Sequence, residues 1–298
     1  METTTTTAHG ALGTDRAETG GADAGAAGTG GYVHGYSGRE AQRLGDQADA
    51  LAGLLHDGTS YPAGSRVLEA GCGVGSQTVH LLSRSPGARL TAADVSGESL
   101  ARARARVAAA LPDARVGWLR ADLHDLPFRD GEFDHLFVCF VLEHLPDPHA
   151  ALVALRRVLR PGGTLTVIEG DHGSAFLHPD SAHARAAIGH LAALQAAKGG
   201  DALIGRRLRP LLAGAGYGGV AVSPRTLYAD GSRPGLARAF TLDTFTAMVE
   251  GVGEEAVAAG LSSAADWDRG VAGLRRAAEP DGAFCYTFFK AVAVCPPA

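Results

Sequence analysis

The sequence predicts an α/β protein built on a doubly wound, mostly parallel sheet of seven strands. Three observations lead there. From Arg66 to Gly170, short apolar runs alternate with segments of helical periodicity, and such alternation implies parallel crossovers. One run, "FDHLFVCFV", is apolar almost throughout, as a strand covered on both faces should be. A glycine-rich turn, "EAGCGVGSQT", links the first strand to the helix after it, where backbone can approach a ligand closely.

The elements follow in order. Residues 1–30 are Thr, Ala, Gly and Asp with hardly any large apolar side chains, so a disordered tail is expected. Residues 31–60 read as a helical lid. Ser37 and Glu40 form a capping box, Leu44, Ala48, Leu51, Leu54 and Leu55 keep helical spacing, and Gly58 can end the helix. The main domain is expected over 61–298. "RVLEA", "ARLTAADV", "ARVGWLRAD", "FDHLFVCFV" and "TLTVIEG" are its first five strands, with helices starting near Ser76, through Ser99–Ala110 and over Pro148–Leu159. The rhythm then breaks. A helical insertion is expected at about 171–203, centred on an Ala- and His-rich stretch from Ser181 to Lys198. A helix at Ile204–Leu212 and the strand "GGVAVSPRTLYAD" resume the pattern, followed by helical segments at Leu242–Glu250 and Ala264–Ala278. "AFCYTFFKAVAV" is the last strand, antiparallel because Pro280-Asp281-Gly282 turns the chain just before it.

Composition sets outer limits. The 298 residues suffice for one large or two small domains. The net charge of −5 argues against a nucleic-acid partner, and Arg102, Arg104 and Arg106 read as a solvated helix face. The four cysteines, at 72, 139, 285 and 295, include no C-x-x-C pair, which fits a reducing cytoplasm. No apolar run reaches the roughly 18 residues of a membrane span, and "METTTTTAHG" lacks the features of a signal peptide.

The glycine loop narrows the chemistry. A dinucleotide fingerprint would place Gly or Ala where Ser76 stands, and a phosphate-binding loop would carry Lys before Ser or Thr, where Gln77-Thr78 stands. The acidic Glu69 just before the loop would repel a pyrophosphate and suits an ammonium or a hydroxyl. Asp94 ends the second strand about twenty residues beyond the loop, where a carboxylate can accept from both ribose hydroxyls. Asp122 follows the third strand and can accept from an adenine amino group, with Leu123 and Phe128 as apolar contacts. Each alone reads equally as a strand-end cap. Together they mark consecutive strand ends, where open α/β sheets bind ligands.

Taken together, "VLEAGCGVG", Asp94, "ADLHDLPF", "FDHLFVCFVLEHLPD" and "LRPGGTLTV" resemble the class I S-adenosylmethionine-dependent methyltransferases, closely from Tyr61 to Glu169 and more loosely beyond. The resemblance implies a Rossmann-like methyltransferase fold with S-adenosyl-L-methionine as cofactor. It implies cofactor contacts from Glu69, Gly71, Gly73, Gln77, Asp94, Asp122 and Leu123, with Cys139 and Phe140 near the sulfonium and Glu143 and His144 at the substrate rim.

The stretch "IEGDHGS" would then leave the fifth strand beside the substrate, so Glu169, Asp171 and His172 become acceptor-side candidates. Glu169 and His172 are expected to be catalytic, together with Tyr32 and Tyr36 of the lid. A bound metal is not expected, because the spacing matches no familiar ligand pattern. "YVHGYSGRE", "EGDHGS" and "FCYTFFKA" are similar to bacterial small-molecule methyltransferases of specialised metabolism. That likeness implies a small aromatic or terpenoid acceptor, with C-methylation favoured over N- or O-methylation, and allows a homo-oligomer formed through the N-terminal segment. A nicotinamide-dependent oxidoreductase and a non-catalytic cofactor-binding protein are the alternatives.

Overall fold

A computed structural model describes residues 48–297. The expected tail, Tyr32, Tyr36, the capping box and most of the lid lie outside the described residues.

Seven strands form one sheet: β1 (Arg66–Ala70), β2 (Arg89–Asp94), β3 (Val116–Arg120), β4 (Phe133–Cys139), β5 (Leu159–His178), β6 (Gly218–Asp230) and β7 (Ala283–Val294), in the order β3-β2-β1-β4-β5-β7-β6. Strands β1 to β5 are mutually parallel, and β7 runs antiparallel to both β5 and β6.

The two-residue period of the strands sorts side chains between two cores. Phe137, Cys139 and Ile168 pack on one face with Leu51 and Leu55 of helix α1, whose described part covers 48–55, and with Leu81 of α2 (Ser76–Arg84). Leu136, Val138 and Val167 pack on the other face. Their partners are Leu152 and Leu155 of α4 (Pro148–Val158) and Leu208 and Leu212 of α6 (Leu208–Gly214). Helix α3 (Gly97–Ala110) starts under a Ser96 cap that accepts from Ser99 N at 3.2 Å. Asp147 caps α4, accepting from Ala150 N at 2.9 Å with Pro148 in the first turn.

Two features differ from the sequence reading. Strand β5 does not end at Gly170; it continues to His178, paired with β7 as far as Ala283 across a bulge between Asp171 and Phe176. The stretch "IEGDHGS" is therefore strand, not a loop. Its polar residues find partners across the fold. Asp171 holds Arg206 through two bonds of 2.6 and 2.7 Å, and Ser174 Oγ accepts from Thr287 N at 2.9 Å. Second, the helix expected to begin at Leu242 begins earlier. After α7 (Pro234–Leu236), the segment Ala237–Thr246 is π-helical and passes into α8 (Ala247–Glu250). Thr244 and Thr246 hydroxyls donate to the carbonyls of Ala239 and Thr241, five residues back, following the wider π turn.

Beyond the cofactor end, β5, β7 and β6 form an antiparallel extension. Helix α5 (Ala182–Ala197) packs against α10 (Ala264–Arg276) over it, with α9 (Gly253–Ala258) alongside. Under that helical layer Phe240, Phe245, Phe284, Tyr286 and Phe288 form one aromatic cluster, with ring centroids 4.7 to 6.3 Å apart.

Candidate active site

The glycine loop begins where β1 ends. Gly71 N and Cys72 N both donate to Ala93 O, at 2.8 and 2.9 Å, which fixes the loop to β2. Gly71, Gly73 and Gly75 have φ of 79°, 52° and 78°, a region that side chains other than glycine rarely adopt. A Cβ on Gly71 would lie 2.5 Å from Val141 Cγ2, so the loop after β4 seats directly on it. A Cβ on Gly75 would strike the backbone of Ala103 in α3, whereas in front of Gly73 there is open space. Gly73 is thus the point where a ligand can meet bare backbone.

Three carboxylates stand around this loop, at the ends of three neighbouring strands. Glu69 is buried and accepts from Thr78 Oγ1 at 2.7 Å. Burial raises its pKa to about 8, the Thr78 bond working against that and Asp94 adding to it. Asp94 accepts from Gly73 N at 2.8 Å and Ser96 N at 2.9 Å, and burial holds its pKa above the ordinary aspartate range despite those bonds. Asp122 is more exposed and accepts from the backbone N–H of His124, which with the His124 ring lowers its pKa. Leu123 beside it is buried. Cys139 ends β4, and the next residue, Phe140, has φ 57°, a strained turn for a residue with a side chain. Its N–H is held by Ile168 O at 2.9 Å.

The residues present suit the methionine, ribose and adenine parts of S-adenosylmethionine. Open backbone lies at Gly73, and Ser76 Oγ, at the first turn of α2, is buried without a partner among the described residues. A carboxylate stands at each of the three strand ends.

On the acceptor side, the sequence candidates separate. Glu169 is fully buried. Its Oε1 accepts from Val141 N at 3.0 Å and Leu142 N at 2.8 Å, while Oε2 has no partner among the described residues. Burial, reinforced by the Glu143 charge, raises its pKa well above the usual range. Asp171 is taken up by Arg206. His172 is buried, with Nδ1 2.7 Å from Tyr286 Oη, and its N–H donates to Ala202 O. The turn Leu142–His144 is held from the other side by Gln195 Nε2, which donates to Glu143 O at 3.0 Å. Among the described residues no group of three or more His, Cys, Asp or Glu side chains could hold a metal, and no helix is long and apolar enough to cross a membrane.

Four buried polar side chains escaped sequence reasoning: His56, Gln195, Tyr286 and Lys290. Lys290 had a readable signal, a lone charge inside an apolar strand. Its buried ammonium donates to Leu55 O at 3.3 Å, Asp57 O at 2.6 Å and Thr59 Oγ1, closing the end of α1 onto β7.

The fold and this site define a class. Residues 68–167 match the family model described as Methyltransferase domain. With the sheet order, this gives residues 68–167 the likeness of a class I S-adenosylmethionine-dependent methyltransferase domain. The relatives include the ubiquinone/menaquinone biosynthesis C-methyltransferase UbiE of Paracoccus denitrificans, 34% identical over 147 residues, 47% of this chain and 59% of that protein. Methyltransferase GfsG of Streptomyces halstedii is 34% identical over 126 residues, 42% of this chain and 45% of that protein. The chain thus spans about half the length of these curated relatives. Phosphoethanolamine N-methyltransferase 2 of Haemonchus contortus, solved with S-adenosyl-L-methionine, superposes with a TM-score of 0.51 at 19% identity, over 84% of this chain and 52% of that one. At that identity the likeness is one of fold.

Proposed function

We propose that this chain transfers a methyl group from S-adenosyl-L-methionine to a small, aromatic or terpenoid-type acceptor, with carbon favoured over nitrogen or oxygen. One observation carries the reading. Glu69, Asp94 and Asp122 follow one another along three adjacent strand ends, around a loop with open backbone at Gly73. In this reading Glu69, Gly71, Gly73 and Gln77 hold the methionine end. Asp94 takes the ribose hydroxyls, Asp122 and Leu123 take the adenine, and Cys139 lies beside the reacting centre. The cofactor when bound supplies a methyl group already attached to its leaving group. The chain's own work is positioning and water exclusion.

The aromatic cluster of Phe240, Phe245, Tyr286 and Phe288, with Phe140 tilted against Phe288 at a centroid distance of 5.5 Å, supports an apolar, ring-bearing acceptor. The relative named as a C-methyltransferase supports carbon as the methylated atom. His172, hydrogen-bonded to Tyr286, is the group suited to receive the acceptor's proton. Tyr32 and Tyr36, outside the described residues, are proposed to act on the acceptor side. Glu169 serves the backbone it holds.

The test is titration calorimetry of the full chain with S-adenosylmethionine, then radiolabelled methyl transfer to a panel of phenols, indoles and prenyl compounds. Micromolar cofactor binding that Asp94→Ala weakens sharply is expected. Binding of a nicotinamide cofactor in its place would overturn the reading. Cofactor binding with no transfer to any acceptor would favour a binding protein.

A further inference from the structure

One side-chain pair joins the end of α1 to the glycine loop. His56 follows α1 and is 0% exposed. Its ring stacks on Phe137 of β4, centroids 5.4 Å apart and planes 20° from parallel, so packing sets its orientation. Nε2 lies 2.7 Å from Gln77 Oε1. An amide oxygen only accepts, so Nε2 carries the proton and Nδ1 is a bare acceptor. That Nδ1 is buried and has no partner among the described residues. Burial also holds the ring neutral, bringing its pKa down to about 4. A stranded buried acceptor costs stability, and a phenyl ring would stack here without that cost. What the histidine adds is its grip on Gln77.

Gln77 is the second residue of α2, whose N-cap Gly75 offers no side-chain cap. The first-turn N–H groups and the positive end of the helix therefore face the glycine loop unanswered. Ser76 Oγ in the same turn is buried and has no partner among the described residues. The Gln77 amide is planar, so with its oxygen taken by His56 its NH2 turns away from that ring. That NH2 has no partner among the described residues.

We infer that His56 is a positioning residue for the cofactor: it fixes the Gln77 amide so that its NH2, with the first-turn N–H groups of α2, receives the carboxylate at the amino-acid end of S-adenosylmethionine. This inference rests on the cofactor reading proposed above. It assigns α1 a part in cofactor selection, distinct from any contact with the acceptor.

Two probes separate the amino-acid end from the rest of the ligand. S-adenosylhomocysteine carries it, and 5′-methylthioadenosine lacks it. His56→Phe keeps the stack on Phe137 and removes the donor. It should raise the Kd for S-adenosylhomocysteine about tenfold, as expected for one charge-assisted hydrogen bond, and change that for methylthioadenosine by less than about twofold. His56→Gln, whose amide nitrogen can reach the same place, should restore most of the affinity. Gln77→Met should reproduce the selective loss, and adding His56→Phe to it should cost nothing further. If His56→Phe does not fold, Gln77→Met decides alone. Equal losses for both probes, or none, overturn the inference. A wild-type protein that binds neither probe is a different result: it removes the cofactor reading and the inference with it.

Discussion

Glu169 offers the sharpest separation between a catalytic carboxylate and a structural one. Its Oε1 is the acceptor for Val141 N and Leu142 N, and Val141 in turn seats on Gly71. Glu169→Ala strands both donors. Each costs about 1–3 kcal/mol where water cannot replace the carbonyl. Val141 is only half-buried, so the total should be about 2–4 kcal/mol. That is a large share of a domain stability of about 5–15 kcal/mol, but the chain should still fold. Glu169→Gln keeps a carbonyl oxygen for both N–H groups, so it should cost less than about 1 kcal/mol.

The two variants also differ in pH dependence. In the native state burial raises the Glu169 pKa well above 4.5. The folded protein therefore keeps a proton that the unfolded chain releases, and stability falls as pH rises above that value. Glu169→Gln should remove this part of the slope. Urea unfolding at several pH values measures stability, and steady-state kinetics with cofactor titration measures function. Loss of turnover in Glu169→Gln, with stability and cofactor affinity intact, would make Glu169 an acid–base group instead of a structural one.

Other expectations follow from the same geometry. Gly71→Ala meets Val141 at 2.5 Å and also a positive φ, so it should cost about 1–3 kcal/mol or more and weaken cofactor binding at least tenfold; Gly73→Ala meets only the φ penalty, about 1–2 kcal/mol, and calorimetry and melting curves should rank them in that order. Glu69, with its pKa raised to about 8, is protonated at neutral pH in the free protein. A bound cation favours its carboxylate, so cofactor binding at pH 7 should release a proton, seen as a buffer-dependent enthalpy that Glu69→Gln abolishes. Lys290→Met removes the donor for Leu55 O, Asp57 O and Thr59 Oγ1. Faster hydrogen exchange in α1 and new proteolytic cleavage near residues 56–60 are expected, while exchange in the central strands is unchanged.

The central sheet was legible because burial on both faces writes itself as apolar runs: "FDHLFVCFV" became β4, ending at Cys139. The part-exposed edge strand β6 matches "GGVAVSPRTLYAD" residue for residue. The continuation of β5 was hidden for the opposite reason. Glu169, Asp171 and Ser174 look like loop residues until their partners are known, and those partners are Leu142, Arg206 and Thr287, far away in sequence. The segment Ala237–Thr246 could not be placed by a 3.6-residue period because its turn is wider. The site divided along the same line. Strand-end acids carry a spacing that can be read, but nothing in "LLHDG" announces that His56 will meet Gln77.

Under the proposed function, the antiparallel extension of β5, β7 and β6 sets how an acceptor wall built on it would vary. Phe284, Tyr286 and Phe288 sit on one face of β7 at every second residue and are all buried. A two-residue step along a strand moves the contact by about 7 Å. The wall behaves as a ruled scale, not as a loop that can be lengthened or shortened. Accommodating a longer or shorter ring system then means changing which rung carries the large side chain. An insertion of one residue would turn the whole aromatic set to the opposite face. Acceptor preference in proteins built this way should drift by size exchanges at alternate positions of the last strand, with chain length there held constant.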